Sequence, residues 1–219
     1  NARRLAVGGD SAGATLATVL CAELAGEGVE QPCAQLLFYP AADASKRSES
    51  QELFAEGYLL ETASLDWFYE QYVPDASQRR DWRCSPLHAG AALQGSAPAL
   101  LLAAEFDPLL DEGLAYAHAL VAQGVEVEAE RCCGMTHDFL RMGNLVPEVD
   151  GYYRRAREPP PPEPGYRQSA VREQARSYEE HGAGYWSAAT GCDATSRLAA
   201  SCSAGLTQSA ALKSRRIRP

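Results

Sequence analysis

The chain has 219 residues, of which 46% are apolar, and a formal net charge of −9 at pH 7. This length and apolar content suffice for one well-packed core. The acidic excess argues against a nucleic-acid-binding protein, because it leaves no basic stripe to neutralise phosphates.

The first predicted strand, residues 3–7, runs into the motif GDSAG at residues 9–13. A serine on a tight turn between a strand and a helix is the setting of a hydrolase nucleophile, because the turn lifts the hydroxyl clear of the sheet. Ser11 is therefore a candidate nucleophile. Taken by itself, the motif is equally compatible with a plain glycine turn that opens a helix.

The glycines of this motif and the helix after it favour the nucleophile. We expect Gly9 and Gly13 to be required, because a side chain at either position would collide across the turn. Residues 12–25 carry only three polar side chains, which predicts a helix buried on nearly all sides.

Further elements alternate along the chain, and residues 41–57 between them are polar and irregular. Strands are predicted at residues 33–40, 98–106 and 125–130, and helices at residues 58–73 and 111–123. Thr62 is the expected N-cap of the first of these helices. The alternation of strand and helix predicts an α/β fold, with a parallel sheet and crossover helices.

The sequence changes character at residue 158. A breaker run, PPPPEPG, occupies residues 159–165, and no sustained hydrophobic period follows it. We therefore expect residues 1–157 to form the folded domain and residues 158–219 to be a disordered or non-homologous tail.

Three candidate catalytic residues follow three of the predicted strands. Ser11 follows the first, Asp107 follows the strand over 98–106, and His137 follows the strand that begins at residue 125. In a parallel sheet these positions lie at the same edge. An imidazole there would take the serine proton, while the carboxylate would fix the tautomer and stabilise the imidazolium. The order Ser, Asp, His along the chain is that of the α/β-hydrolases.

Other carboxylates and histidines are weaker candidates for the same roles. Asp111 and Glu112 are expected to begin the next helix, where negative charge suits the dipole, and Asp138 is too close to His137 in sequence to support it. The remaining histidines are His88 in a turn, His118 within a predicted helix and His181 in the tail.

At these positions the sequence resembles the hormone-sensitive-lipase-like group of microbial carboxylesterases. The segments GDSAG at 9–13, DPLLDEG at 107–113 and GMTHDF at 134–139 look like that group's nucleophile, acid and histidine blocks, and Asp10 is typical of it. Two shorter segments, YLL at 58–60 and SPL at 85–87, also match. The resemblance implies an α/β-hydrolase fold that cleaves carboxylic esters of short to medium acyl chains through an acyl-enzyme, without a cofactor.

The sequence departs from this family in one segment. The His-Gly-Gly-Gly block that supplies most of the oxyanion hole is absent upstream of Ser11, and the backbone N–H of Ala12 is the donor that remains. We therefore expect an N-terminally truncated α/β-hydrolase with a partial parallel sheet and flanking helices. As a free chain it should be weakly active or inactive.

Two other functions stay open from sequence alone. One is a non-catalytic small-molecule binder on the same fold, which the retention of all three residues disfavours; the other is an amidase with the same triad. The expected partner is a small-molecule ester, with no nucleic acid, and a homodimer is left open. Because no apolar run reaches eighteen residues, no stable membrane insertion is expected. The seven cysteines form no C-x-x-C pair or Cys/His ligand spacing, which favours a cytoplasmic location and predicts no metal site.

Overall fold

The computed structural model describes residues 5–157 of the chain. The predicted tail over residues 158–219 lies outside the described residues, so the boundary at residue 157 stays a prediction.

Four strands and five α-helices make up most of the described part. The strands are β1 (Ala6–Asp10), β2 (Ala34–Phe38), β3 (Ala99–Phe106) and β4 (Val127–Thr136). The helices are α1 (Ala12–Gly26), α2 (Glu49–Leu53), α3 (Thr62–Tyr72), α4 (Leu110–Ala122) and α5 (Val149–Arg157). All neighbouring strands pair in parallel in the order β1-β2-β3-β4, which confirms the predicted α/β fold and parallel sheet.

Apolar residues fill both faces of the sheet, as expected for a parallel sheet between helical layers. On one face, side chains of α1 and α4 pack against the sheet around Leu37 and Leu101. On the other face, Tyr39, Phe139 and Val149 pack around Leu102.

Three local predictions were wrong. Helix α1 is not buried on nearly all sides, since Leu16 and Leu20 are 63% and 46% exposed. An almost wholly apolar sequence does not indicate which side of the helix faces the core. Residues 41–57 contain the short helix α2. Thr62 does not cap α3: it is the first helical residue, and its hydroxyl donates to the carbonyl of Gln51 at 2.5 Å.

Strand β4 extends to Thr136, six residues beyond its predicted end. The extension carries the chain along β3 to the carboxyl edge of the sheet, where β1 and β3 also end. The structure thus confirms that the positions after these three strands share one edge.

Candidate active site

Ser11 lies on the turn between β1 and α1, with φ 54° and ψ −123°. A positive φ is uncommon for a residue with a side chain, so the turn holds Ser11 in a strained conformation. Its N–H donates to the carbonyl of Phe38 at 2.9 Å, which ties the turn to the neighbouring strand. The side chain is half-buried.

The two glycines of the turn have different steric surroundings. A Cβ added at Gly9 would lie 2.3 Å from the carbonyl carbon of Gly13, a distance that real Cβ atoms do not reach. A Cβ added at Gly13 would meet Asp10 Oδ1 at 4.0 Å, an ordinary contact. The expected collision is correct for Gly9 and wrong for Gly13, because the crowding lies between the Cβ position of Gly9 and the backbone of Gly13.

His137 reaches the sheet edge through an irregularity in the last strand pair. Ala104 pairs with Cys132 and Phe106 pairs with Thr136, so three residues of β4 lie opposite Glu105 alone. Bulges of this kind re-aim the side chains that follow them. Gly134 adopts φ 76° within the bulge, and its N–H donates to Glu105 Oε2 at 2.6 Å.

Asp107 follows β3 directly and is fully buried. One carboxylate oxygen, Oδ1, accepts the N–H of Leu109 at 2.9 Å, and this bond fixes the orientation of the carboxylate. The other oxygen lies 2.7 Å from His137 Nδ1. Since a carboxylate only accepts hydrogen bonds, the Nδ1 proton belongs on this contact.

The imidazole of His137 contacts both of the other predicted residues. With Nδ1 donating to Asp107, Nε2 is left as the acceptor, and it lies 3.0 Å from Ser11 Oγ. His137 is 4% exposed, so both contacts are shielded from water on most sides. This arrangement can draw the proton from the serine hydroxyl and hold the resulting imidazolium beside a carboxylate.

The rival carboxylates have other partners. Asp111 and Glu112 lie in the first turn of α4, as predicted, where Asp111 Oδ2 accepts the N–H of Ser50 at 2.8 Å. Asp138 adopts φ 61° at the start of the short 3-10 helix Phe139–Met142, and its carboxylate lies 4.0 Å from Arg141.

His88 has polar partners other than Ser11. His88 Nε2 is 3.1 Å from Asp43 Oδ1 and 3.2 Å from Ser45 Oγ, but the Ser45 hydroxyl donates to Asp43 at 2.6 Å, so its proton is already engaged by a carboxylate. His118 lies within α4, and His181 falls outside the described residues.

Ala12, the predicted oxyanion donor, is the first residue of α1 and is exposed. An N–H in the first turn of a helix has no acceptor within that helix, and the helix dipole places partial positive charge there. The N–H of Ala12 can therefore stabilise negative charge that develops beside Ser11.

Glu112 is a buried acid that sequence patterns identify only as a helix starter. Its Oε1 accepts the N–H groups of Ala42 and Asp43 at 2.8 and 3.2 Å, and its Oε2 lies 2.9 Å from Gln51 Nε2. Burial raises the pKa of Glu112 to about 8, against the opposing effect of the two N–H groups. Its contacts fix the segment that follows β2.

Two further contacts involve the loops that carry Ser11 and His137. The ring of Tyr39 lies 4.7 Å from the imidazole of His137, between ring centroids. Asp10, the residue before Ser11, forms a 3.0 Å ion pair with Arg141, four residues after His137. The sequence placed Tyr39 at a strand end and gave no signal for its contact.

Among residues 5–157, no group of three or more His, Cys, Asp or Glu side chains is arranged to hold a metal ion. In the same part of the chain, no helix has both the length and the apolar content to cross a membrane.

The chain is similar in sequence to known hydrolases. A family model described as alpha/beta hydrolase fold matches residues 1–141. The chain is 48% identical over 151 residues to ethyl acetate hydrolase of Pseudomonas putida, which covers 68% of this chain and 47% of that protein. It is 45% identical over 148 residues to carboxylic ester hydrolase LipN of Mycobacterium tuberculosis, covering 65% and 39%.

A solved structure agrees with these sequence matches. A thermostable esterase from Pseudomonas putida superposes with a TM-score of 0.67 at 41% identity, covering 70% of this chain and 49% of the other. The chain thus spans less than half the length of these relatives.

Proposed function

This chain belongs to the alpha/beta hydrolase family, and we propose that it carries the reaction centre of a carboxylesterase, with Ser11 as nucleophile, His137 as general base and Asp107 as the supporting carboxylate. The observation that carries the proposal is the single imidazole that lies 2.7 Å from Asp107 and 3.0 Å from Ser11. The names of the relatives, an ethyl acetate hydrolase and a carboxylic ester hydrolase, favour ester substrates.

The first half-reaction transfers the acyl group to the enzyme. Ser11 Oγ attacks the ester carbonyl carbon while Nε2 of His137 takes the hydroxyl proton, which gives a tetrahedral oxyanion and an imidazolium. Asp107 stabilises the imidazolium through its contact with Nδ1. The N–H of Ala12 donates to the oxyanion. When the intermediate collapses, the carbon–oxygen bond to the alcohol breaks, and His137 returns the proton to the departing alcohol.

The second half-reaction releases the acid. Water attacks the acyl-enzyme carbonyl as His137 takes a proton from it, and collapse frees the carboxylic acid with the proton restored to Ser11 Oγ. Every proton is carried by this chain's own residues and by water. We propose acyl groups of short to medium length, in line with the relative that acts on ethyl acetate.

A covalent label tests the nucleophile more directly than turnover does. Labelling requires only that Ser11 attacks the probe, whereas turnover also requires release of the acyl group. A fluorophosphonate probe should label Ser11, and the adduct should be located by mass spectrometry of peptides. Ser11→Ala should abolish labelling.

Ser45 provides a matched control, since it too contacts a histidine but donates its proton to a carboxylate. Ser45→Ala should label like the parent chain. Labelling that persists in Ser11→Ala, or that is lost in Ser45→Ala, would contradict the assignment.

The amidase alternative is separated by paired substrates with the same acyl group. The p-nitrophenyl ester and the p-nitroanilide of butyrate should be compared at equal concentration, with the acyl length of the ester then varied. We expect the ester to react and the anilide to remain unchanged. Hydrolysis of the anilide that is lost in Ser11→Ala would favour the amidase, because the activated ester is the more reactive substrate for either enzyme.

A further inference from the structure

Tyr39 breaks the side-chain alternation of β2. Leu37 packs on the sheet face covered by α1 and α4, and Phe38 packs on the opposite face. Side chains alternate along a strand, so Tyr39 would be expected on the face of Leu37. It packs instead on the face of Phe38, because its backbone adopts φ 37° directly after the strand.

This backbone conformation is disfavoured for a residue with a side chain and must be held by its surroundings. The Tyr39 N–H donates to the carbonyl of Leu102 at 2.6 Å, which fixes the turn against β3. Pro40, the next residue, packs against the first turn of α4 near Gly113. The strained conformation is thus imposed from both sides, and its consequence is the position of one aromatic ring.

That ring lies against the imidazole of His137. The ring centroids are 4.7 Å apart at an interplanar angle of 60°, an edge-to-face geometry that aromatic pairs favour. Phe139 also packs edge-to-face against the Tyr39 ring, with centroids 5.5 Å apart at 65°. Tyr39 is 1% exposed, so the ring has little room to move.

The Tyr39 hydroxyl does not account for its position. Among the described residues, this hydroxyl is buried without a hydrogen-bond partner. Burial raises the pKa of the phenol well above its usual range, with Asp10 and Asp138 adding to the effect. The group therefore stays protonated and gains nothing from its site, which leaves the ring as the useful part.

We propose that Tyr39 is a positioning residue that holds the His137 imidazole in the one orientation that reaches Asp107 and Ser11 together. A hydrogen bond at Nδ1 fixes one point of the imidazole and leaves rotation about that contact open. A flat ring packed against the imidazole removes this rotation and keeps Nε2 directed at Ser11 Oγ. The kinetic part rests on the proposed function, whereas the orientation of the imidazole can be measured without turnover.

The test is a proton NMR measurement on the full chain. A buried Nδ1–H bonded to a carboxylate gives a sharp low-field proton signal. The signal is assigned to His137 by its disappearance in the variant His137→Asn. Tyr39→Phe keeps the ring and removes a buried, unpartnered hydroxyl, so the signal should persist with unchanged or higher thermal stability. Tyr39→Leu should broaden or abolish the signal.

Tyr116→Leu is the matched control for a buried tyrosine. Tyr116 is fully buried on the opposite face of the sheet, where it contacts Thr18 and not His137. The variant Tyr116→Leu should lose at least as much stability as Tyr39→Leu and should still show the low-field signal. If both variants lose the signal equally, or if Tyr39→Leu keeps it, the positioning role is wrong.

Two further measurements complete the test. In the parent chain, Tyr39 ring protons should show nuclear Overhauser effects to the His137 ring; their absence would overturn the proposal even if Tyr39→Leu fails to fold. In ester hydrolysis, Tyr39→Leu should lower kcat roughly 10²-fold with KM unchanged, as expected for a misplaced base, and Tyr39→Phe should restore it. Failure of fluorophosphonate labelling in the parent chain would refute the esterase proposal and leave the NMR result to decide the positioning role.

Discussion

The junctions at Ser11 and Asp107 both lead from a strand into a helix, but they are held in different ways. The Ser11 junction depends on steric fit: a strained φ, and a glycine whose missing Cβ admits the backbone of Gly13. The Asp107 junction depends on buried polar contacts, such as the 2.7 Å bond from the Ser50 hydroxyl to the carbonyl of Pro108. The proposed nucleophile thus lies on a strained, half-exposed turn. The proposed supporting acid begins a buried, hydrogen-bonded segment over residues 107–112, which we call the buried joint.

The largest loss should follow removal of Ser11 or of His137, whose imidazole links the two junctions. His137→Ala and Ser11→Ala should each lower kcat by about 10⁴-fold or more. The serine hydroxyl is not activated without the imidazole, and the imidazole has no nucleophile to activate without the serine. The double variant should be little worse than either single variant, which steady-state kinetics on one ester can measure. Additive losses would contradict a shared mechanism, and Asp111→Asn, in the buried joint, should leave kcat nearly unchanged.

The second prediction concerns steric fit at the Ser11 junction. Gly9→Ala should destabilise the fold by at least about 3 kcal/mol or open the turn and abolish fluorophosphonate labelling, because the new Cβ would overlap the backbone of Gly13. Urea unfolding and labelling of the same samples measure both effects.

Gly13→Ala is the control, one turn further along. It meets no close atom and lies inside α1, so stability should be unchanged or higher by up to about 1 kcal/mol. Equal damage at both positions would show that the turn is limited by something other than the Gly9 contact.

The proximity of Ser11, Asp107 and His137, the proposed catalytic trio, could be predicted from sequence because each residue follows a strand that the sequence pattern identifies. Parallel pairing then brings the three positions to one edge, whatever the details of packing. Tyr39 could not be predicted in this way, since its positive φ reverses the alternation on which strand patterns depend. The glycine at position 134, shortly before His137, is the one feature of the sequence that could have indicated the bulge in β4.

Glu112 shows the same limit in the buried joint. Its place in the first turn of α4 followed from helix electrostatics, as predicted. It accepts hydrogen bonds from Ala42 and Asp43, which lie 70 and 69 residues away in sequence, and no local pattern encodes such contacts.

The third prediction tests hydrogen-bond satisfaction in that joint. Glu112→Ala leaves two buried N–H groups unpaired and should cost on the order of 3 kcal/mol of unfolding free energy, measured by urea titration. Glu112→Gln keeps an acceptor oxygen and should cost much less. A similar loss in both variants would show that one acceptor oxygen at residue 112 is not enough to hold the joint, since the second oxygen accepts from Gln51 Nε2.

The raised pKa of Glu112 determines how the stability of the fold changes with pH. Its pKa is raised in the folded state from 4.5 to about 8, so between these values the folded chain keeps a proton that the unfolded chain releases. This contribution is fully present below pH 4.5 and is lost as pH rises through 8, with a slope of at most about 1.4 kcal/mol per pH unit. The neighbouring carboxylates Asp43 and Asp107 act in the same direction on Glu112. Glu112→Gln should flatten this slope.

The ion pair between Asp10 and Arg141, which joins the loops of Ser11 and His137, should contribute least. Arg141 is 70% exposed and Asp10 is 38% exposed, so water and salt screen the attraction across 3.0 Å. A double-mutant cycle with Arg141→Gln and Asp10→Asn should give a coupling of at most about 1 kcal/mol in unfolding free energy, falling further at high salt. Labelling of Ser11 should be unchanged in all three variants. A larger, salt-insensitive coupling, or slower labelling, would mean that this surface contact also positions the loops; if the coupling is small, steric fit and the buried joint suffice to hold Ser11 and His137 in place.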